Sequence, residues 1–166
     1  MQAKITHGHP AAVAAAQAVA VLVHDAIAGR PISLDMPAGI DEPTFSAAWH
    51  GAHRNLIAGE RLPAHLRNAA MSGWVTVATA HAIAVLYKDD PERAIGMAAA
   101  SGGDTDTVAC IVGALVGARH GRAFIPKRWL NNLAAQAVDS CNYAANALRG
   151  LRDVRAAAES GEALAS

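Results

Sequence analysis

The stretch SGGDTDTVACIVGALVGARHG, from Ser101 to Gly121, decides both the fold and the candidate site. Two glycines come first, and two carboxylates and two hydroxyls then fall within four residues, from Asp104 to Thr107. An apolar segment follows to about Arg119, and a glycine placed just after such a segment is typical of a helix end. The stretch therefore predicts an apolar α-helix that starts at an acidic turn.

The acidic turn has two interpretations. Carboxylate and hydroxyl oxygens suit hard cations such as Mg²⁺, Mn²⁺ or Ca²⁺. Asp104 and Thr107 are three residues apart and share a helix face, whereas Asp106 points elsewhere unless the turn is irregular, which the preceding glycines permit. Alternatively, Asp104 or Thr105 is simply the helix N-cap, and the acidic residues complement the helix dipole. The spacing of these residues alone does not decide between a metal site and a helix cap.

The composition favours helices. Of 166 residues, 41 are alanine, 52% are hydrophobic and only 4% are aromatic, which argues for closely packed helices and against a β-rich fold. Gly113 and Gly117, four apart, predict a strip on which a second helix packs closely. The formal net charge is zero, so the basic surplus of a typical nucleic-acid-binding protein is missing.

The apolar periodicity predicts a single all-α domain over residues 1–166, without strands, repeats or linkers. The predicted helices cover residues 10–28, 43–58, 73–87, 91–100, 104–119 and 126–155, the last with a break near Asn131–Asn132. Residues 29–42 are predicted to form a loop, and the secondary structure of residues 60–72 is left open by the sequence pattern. The small, polar tail over residues 156–166 is expected to fray.

The first predicted helix is apolar enough that a membrane span or a secretory signal has to be considered. Its apolar part, Ala11–Val23, is rich in alanine and interrupted by Gln17, which falls short of the roughly 20 strongly apolar residues of a span. A secretory signal, with Lys4 before the apolar part and Ala26-Ile27-Ala28 as a cleavage site, is the alternative. We favour a core helix in a cytoplasmic protein that contacts no membrane.

The cysteines and histidines carry weaker signals. Cys110 and Cys141 form no CxxC motif and are expected to be buried thiols in a reducing compartment. Two histidine pairs, His7 with His9 and His50 with His53, leave a zinc site open as an alternative, although no HExxH motif is present.

The sequence resembles the C-terminal part of the ADP-ribosylglycohydrolases, which include dinitrogenase reductase-activating glycohydrolases and ADP-ribosylhydrolases. The resemblance rests on Gly102-Gly103-Asp104-Thr105-Asp106-Thr107-Val108-Ala109, Gly113, Gly117, Gly121, Ile125-Pro126 and Trp129, on residues 73–95, and on Ile5-Thr6-His7 near the start. It covers residues 5–133 almost continuously.

The resemblance implies a compact, orthogonal multi-helix hydrolase with two divalent metals, Mg²⁺ or Mn²⁺, in one cleft. Such enzymes cleave the N- or O-glycosidic bond between ADP-ribose and an acceptor, which is a protein side chain or a small molecule. By resemblance, the metal ligands are Asp104, Asp106 and Thr107, and the substrate-binding residues are Thr6, His7, Gly103 and Thr105.

The resemblance has one large gap. The family carries a Thr-Asp-Asp metal motif, a catalytic acidic residue and a glycine-rich loop before its Thr-His element, and nothing in this sequence matches them. The catalytic residue is therefore unassigned, and half of the metal ligands are expected to be absent. The chain is then a C-terminal piece, a domain that works with a separate N-terminal chain or as a homo-oligomer, or a non-catalytic helical binding module.

Overall fold

The computed structural model describes residues 3–57 and 72–133, and within these ranges the chain is helical and contains no strand. This confirms the all-α prediction. The helices are α1 (Ala3–Thr6), α2 (Pro10–Ile27), α3 (Pro43–Ile57), α4 (Gly73–Leu86), α5 (Pro91–Ala99), α6 (Thr105–His120) and α7 (Lys127–Asn132), with a 3₁₀ turn over Arg122–Phe124. Contacts divide the chain into two compact units, Met1–Phe124 and Ile125–Ser166. A single domain over residues 1–166 therefore stays a prediction.

Most predicted helix boundaries are confirmed to within one residue. Prolines stand at the first position of α2, α3 and α5, where a missing N–H removes no helical hydrogen bond. The Asp90 carboxylate caps α5 by accepting a hydrogen bond from the Arg93 backbone N–H at 3.1 Å. The chain leaves the helical conformation at Leu133, beside the predicted break. The end of the second predicted helix, residues 60–71, the continuation to residue 155 and the frayed tail lie outside the described residues.

Helix α4 is the buried centre of the first unit. Every residue from Val75 to Ala84 is buried, and a helix that is apolar on all sides has to be enclosed by others. Helices α2, α3, α5 and α6 all contact it. The burial ends before the helix does, since Leu86 at the end of α4 is 43% exposed.

Helix α2 packs through alanines. Ala11, Ala14, Ala15 and Ala18 are at most 5% exposed and join the core with Trp49 of α3 and Val77 of α4. Over its 18 residues the mean hydropathy is 1.5, so length and composition alone would let α2 cross a membrane, and a signal sequence passes the same test. The buried alanine face shows that α2 serves as a core helix in this fold.

Helices α2, α4 and α6 run in the same direction. Their first turns meet at one end, where Ala12, Trp74 and Thr107 line a common groove. At the other end, the Arg119 guanidinium donates to the Arg30 carbonyl at 3.5 Å, and the His120 Nε2–H donates to the Lys88 carbonyl at 2.9 Å. Three helix N-termini are therefore gathered at one end of the unit.

Two buried histidines bridge α3 and α4. The carbonyl of Trp49 can only accept, so His53 donates to it from Nδ1–H at 2.7 Å. The bare Nε2 of His53 then accepts from Nδ1–H of His81 at 2.9 Å. The indole of Trp49 stacks on the His81 ring with centroids 4.3 Å apart. This chain of hydrogen bonds fixes both histidines in the neutral Nδ1–H form.

Two further expectations are not met among the described residues. Within the described residues, nothing lies within 4 Å of a Cβ placed at Gly113 or Gly117, so these glycines mediate no close helix approach there. Cys110 is exposed, because it lies on the solvent side of α6, opposite the buried Val108 and Val112. Cys141 lies outside the described residues.

The absence of a described neighbour at Gly113 yields a stability prediction. Gly113→Ala should raise the free energy of unfolding by about 0.5–1 kcal/mol, since glycine inside a helix is less stable than alanine. The matched control, Gly121→Ala, should lower it by about 1 kcal/mol or more, because Gly121 has a left-handed φ of 69°. Urea denaturation measures both. A destabilised Gly113→Ala variant would show that a neighbour does occupy that space.

The histidine pair predicts how stability depends on pH. Burial, followed by the nearby charge of His53, lowers the pKa of His81 to about 3, and burial also lowers the pKa of His53. Below pH 6.5 the unfolded chain therefore binds protons that the folded chain does not bind. The contribution of these histidines to the free energy of unfolding is therefore fully present above pH 6.5 and is lost as the pH drops toward 3. His81 alone accounts for a loss of about 2 kcal/mol between pH 7 and pH 5.

Urea denaturation at pH 7, 6 and 5 tests this dependence in a range where most carboxylates stay ionised. His81→Phe should flatten it, whereas His50→Asn, which changes an exposed ring, should leave it nearly unchanged. A wild-type free energy of unfolding that stays constant from pH 7 to pH 5 would contradict the buried, neutral assignment.

Candidate metal and ligand groove

A groove of about 1040 Å³ opens beside the first turns of α2, α4 and α6. We call it the N-terminal groove. It is lined by Ala3, Ile5, Thr6, His7, His9, Ala12, Ala15, Ala16, Gln17, Val19, Ala20, Ser72, Gly73, Trp74, Thr76, Val77, Thr107 and Ile111. Its volume exceeds the roughly 300–1,000 Å³ of typical small-molecule sites, so it can hold an extended ligand.

The Thr-His element forms one wall of this groove. Helix α1 ends at Thr6, and the hydroxyl of Thr6 lies 2.8 Å from Nδ1 of His7. Both side chains are exposed, and both line the groove. The pair therefore presents a hydroxyl and an imidazole to the groove, and its role in binding substrate stays a prediction.

His9 and Trp74 form an aromatic pair that the sequence analysis did not assign to the site. His9 is the N-cap of α2, and its Nδ1 accepts from the Ala11 backbone N–H at 3.2 Å. Nδ1 is thereby occupied as an acceptor, and the ring stacks on Trp74 with centroids 4.5 Å apart. Its position directly before Pro10, where N-caps lie, was the signal that could have revealed it.

The acidic turn adopts an irregular conformation. Gly102 and Gly103 have φ values of 82° and 72°, which the absence of a side chain makes accessible. The carbonyl of Gly103 accepts from the Thr105 N–H at 2.9 Å. The Thr107 hydroxyl then donates to Oδ1 of Asp104 at 2.8 Å, so these two side chains do share a face.

The two aspartates of this turn interact. A side-chain hydrogen bond with Asp104 lowers the pKa of Asp106, and the backbone N–H groups of Thr107 and Asp106 lower it further. The irregular turn thus brings together two carboxyl groups that a regular helix would separate. Two neighbouring carboxylates repel each other, and a divalent ion held between them would neutralise both.

The oxygen-bearing side chains of the acidic turn are of the type that binds a hard cation, but they are fewer than a complete metal site needs. Among the described residues, no group of three or more His, Cys, Asp or Glu side chains is placed to hold a metal. Two carboxylates and one hydroxyl amount to a partial Mg²⁺ or Mn²⁺ site. The zinc alternative is not assembled, since His53 is paired with His81 in the core while His7 and His9 line the groove.

The predicted site residues divide into two sets. Thr6, His7 and Thr107 line the N-terminal groove, although Thr6 and Thr107 lie 101 residues apart in the sequence. Gly103, Asp104, Thr105 and Asp106 belong to the acidic turn and are not lining residues. Thr107 belongs to both, because its hydroxyl binds Asp104 while its side chain contacts the groove.

The electrostatics of the groove favour anions. The first turns of α2, α4 and α6 contribute lining residues, and each helix N-terminus carries roughly half a positive charge from its aligned peptide dipoles. At α2 the Ala11 N–H is already paired with His9, and at α6 the N–H groups of Asp106 and Thr107 are paired with the Asp106 carboxyl, so the attraction for an anion comes from the helix dipoles and not from free donors. A phosphate-bearing ligand therefore suits the groove, and a cation held at the acidic turn would lie beside it.

Comparison with known proteins gives two matches. Residues 1–160 match the family model described as ADP-ribosylglycohydrolase. Over 60 residues the chain is 42% identical to ADP-ribosylhydrolase ARH3 of Danio rerio, a stretch that covers 36% of this chain and 16% of that relative. The matching stretch thus spans less than a fifth of the curated relative. No solved structure matches the chain.

The paired carboxyls predict an abnormal titration. Asp106 should titrate below the usual carboxyl value of 3.8, and Asp104→Ala should raise its pKa toward that value by removing the hydrogen bond. Carbon-detected NMR of the side-chain carboxyls measures both. Asp89→Ala, a change at an exposed carboxylate outside the turn, should leave the pKa of Asp106 unaltered. An Asp106 that titrates normally in the wild-type chain would contradict the pairing.

Proposed function

The chain belongs to the ADP-ribosylglycohydrolase family, and on that premise we propose that the N-terminal groove is one wall of an ADP-ribose site in a glycosidic-bond hydrolase. The reaction adds water across the N- or O-glycosidic bond between the ribose of ADP-ribose and an acceptor. The water oxygen bonds to the anomeric carbon, the glycosidic bond breaks, and the acceptor leaves with a proton. The acceptor belongs to a protein or to a small molecule.

One observation carries this proposal: the Thr-His element and Thr107 line the same groove as three helix N-termini. The pyrophosphate of ADP-ribose is the anion that such helix ends would stabilise. Thr6 and His7 would hydrogen-bond the ligand from the other wall. Gly103 and Thr105 shape the acidic turn, which adjoins the N-terminal groove through Thr107.

The metal would be held at the acidic turn. Asp104, Asp106 and Thr107 supply oxygen donors suited to Mg²⁺ or Mn²⁺, in a family that is generally metal-dependent. When bound, the metal pair supplies charge for orienting the ribose hydroxyls and for activating water. The Thr107 hydroxyl holds the Asp104 carboxylate in place through its 2.8 Å hydrogen bond.

The remaining ligands and the acidic group that acts on the water are not assigned to residues of this chain. We assign them to a second segment, which is either a separate N-terminal chain or another copy of this one. Exposed apolar side chains provide surface that such a partner would bury: Ile5 is 83% exposed and Ile27 is 58% exposed. The chain alone is then expected to bind ligand without hydrolysing it.

A non-catalytic binding module is the second candidate. It is favoured by the lack, among the described residues, of a group of three side chains able to hold a metal. In that case the acidic turn serves only as the start of α6. Metal binding separates the two candidates.

Titration with Mn²⁺, followed by electron paramagnetic resonance, tests the proposal. The wild-type chain should bind Mn²⁺, and Asp106→Asn should weaken binding about tenfold or more, because it removes one charged ligand. Asp89→Asn is the matched control and should bind like wild type. Bound Mn²⁺ should in turn tighten binding of ADP-ribose, measured by calorimetry.

If wild type and Asp106→Asn bind Mn²⁺ equally weakly while both are folded, the acidic turn is no metal site in this chain. The binding-module candidate then stands, and it predicts ADP-ribose affinity that is independent of Mn²⁺.

A further inference from the structure

A second cavity lies apart from the N-terminal groove, and the two share no lining residue. It has a volume of about 180 Å³ and is lined by α2, the loop over residues 30–38, His81 of α4 and Leu115 of α6. We call it the loop cavity. Because an apolar cavity of about 150 Å³ holds a benzene ring, the loop cavity has room for a ligand body the size of a single six-membered ring.

The loop that forms one side of this cavity is tied to three helices. From α3, the Trp49 indole N–H donates to the Leu34 carbonyl at 3.0 Å. From α6, the Arg119 guanidinium donates to the Arg30 carbonyl at 3.5 Å. The Arg30 side chain in turn donates from Nε to Oδ1 of Asp25 on α2 at 2.9 Å. The cavity is therefore formed before a ligand binds, which avoids the cost of ordering a loop on binding.

The wall of the loop cavity carries an unbalanced negative charge. It contains the carboxylates of Asp25 and Asp35 and the guanidinium of Arg30. Arg30 compensates Asp25, whereas among the described residues no basic side chain forms an ion pair with Asp35, which accepts a hydrogen bond from the Ser33 hydroxyl at 3.3 Å. His81 is neutral at pH 7, because burial lowers its pKa to about 3. Two carboxylates against one guanidinium leave the wall with a net charge of −1.

Apolar side chains and one solvent-exposed carboxylate together define the ligand. Leu22, Ala26, Met36 and Leu115 supply the apolar part of the lining. Asp35 is exposed to solvent, so a cationic group beside it keeps part of its hydration and escapes most of the cost of burying a charge. A molecule with an apolar body and one charged group can then behave as a lysine side chain does at a protein surface, with its stem packed and its charge in water.

We propose that the loop cavity binds a small organic monocation, namely a primary ammonium group on an apolar body the size of one six-membered ring. The ammonium donates hydrogen bonds to the Asp35 carboxylate, and the body packs against the apolar lining. A bare metal ion is not matched, because the described residues contain no group of three side chains placed to hold one. An anion would be repelled by Asp35 and would have to compete with Asp25 for Arg30.

Benzylammonium, benzyl alcohol and benzoate are the matched probes, because each carries one ring and they differ in charge. NMR of protein labelled at its methionine and leucine methyl groups reports on the cavity through Met36 and Leu115. Benzylammonium should shift both methyl resonances and should bind about threefold more tightly than benzyl alcohol, which is the gain expected for an ion pair at an exposed carboxylate. Benzoate should bind most weakly of the three.

Two variants identify the recognising group. Asp35→Asn preserves the shape of the side chain and removes its charge, so benzylammonium should lose its advantage over benzyl alcohol. Asp41→Asn is the matched control, since it removes an exposed carboxylate that does not line the cavity, and it should leave the preference unchanged. Both positions are exposed, so both variants are expected to fold. Equal binding of the two probes by the wild-type chain, an unchanged preference in Asp35→Asn, or saturation by benzylammonium without a shift at Met36 would overturn the proposal.

Discussion

The burial of α4 on all sides from Val75 to Ala84 is the constraint on which the rest of the described structure depends. A helix that is apolar on every side is stable in water only when other helices enclose it. Its neighbours must then come close, and α2 does so by presenting alanines such as Ala14 and Ala18. Because α2 and α6 pack along α4 in the same direction, the N-termini of all three helices lie at the same end of the unit. The N-terminal groove is a consequence of that packing.

Charge is distributed unevenly around this apolar centre. One end of the unit gathers three helix N-termini with their positive dipoles, and the acidic turn at the start of α6 carries two interacting carboxyls. Such an end suits a ligand that is itself anionic together with a metal that bridges it to the protein. In the core, by contrast, His53 and His81 are held neutral, so the buried polar groups add hydrogen bonds without adding charge.

Much of this structure is encoded locally and could be predicted. Prolines at helix starts and the glycine after α6 set the helix boundaries, and the acidic run from Asp104 to Asp106 predicts the turn. The exposure of Cys110 and the absence of a described neighbour at Gly113 could not be predicted, because both depend on which face of α6 the other helices cover. The histidine pair was also missed, since His53 and His81 lie 28 residues apart and nothing local marks them as partners.

The central claim is that a metal at the acidic turn and the Thr-His wall face each other across one groove. Paramagnetic broadening by Mn²⁺ of the histidine ring resonances tests it directly. His7 and His9 should broaden strongly, while His24, about 22 Å farther along α2 than His9 at 1.5 Å per residue, should broaden much less. Broadening that is equal at His9 and His24, or absent from both while Mn²⁺ is bound, would contradict the account.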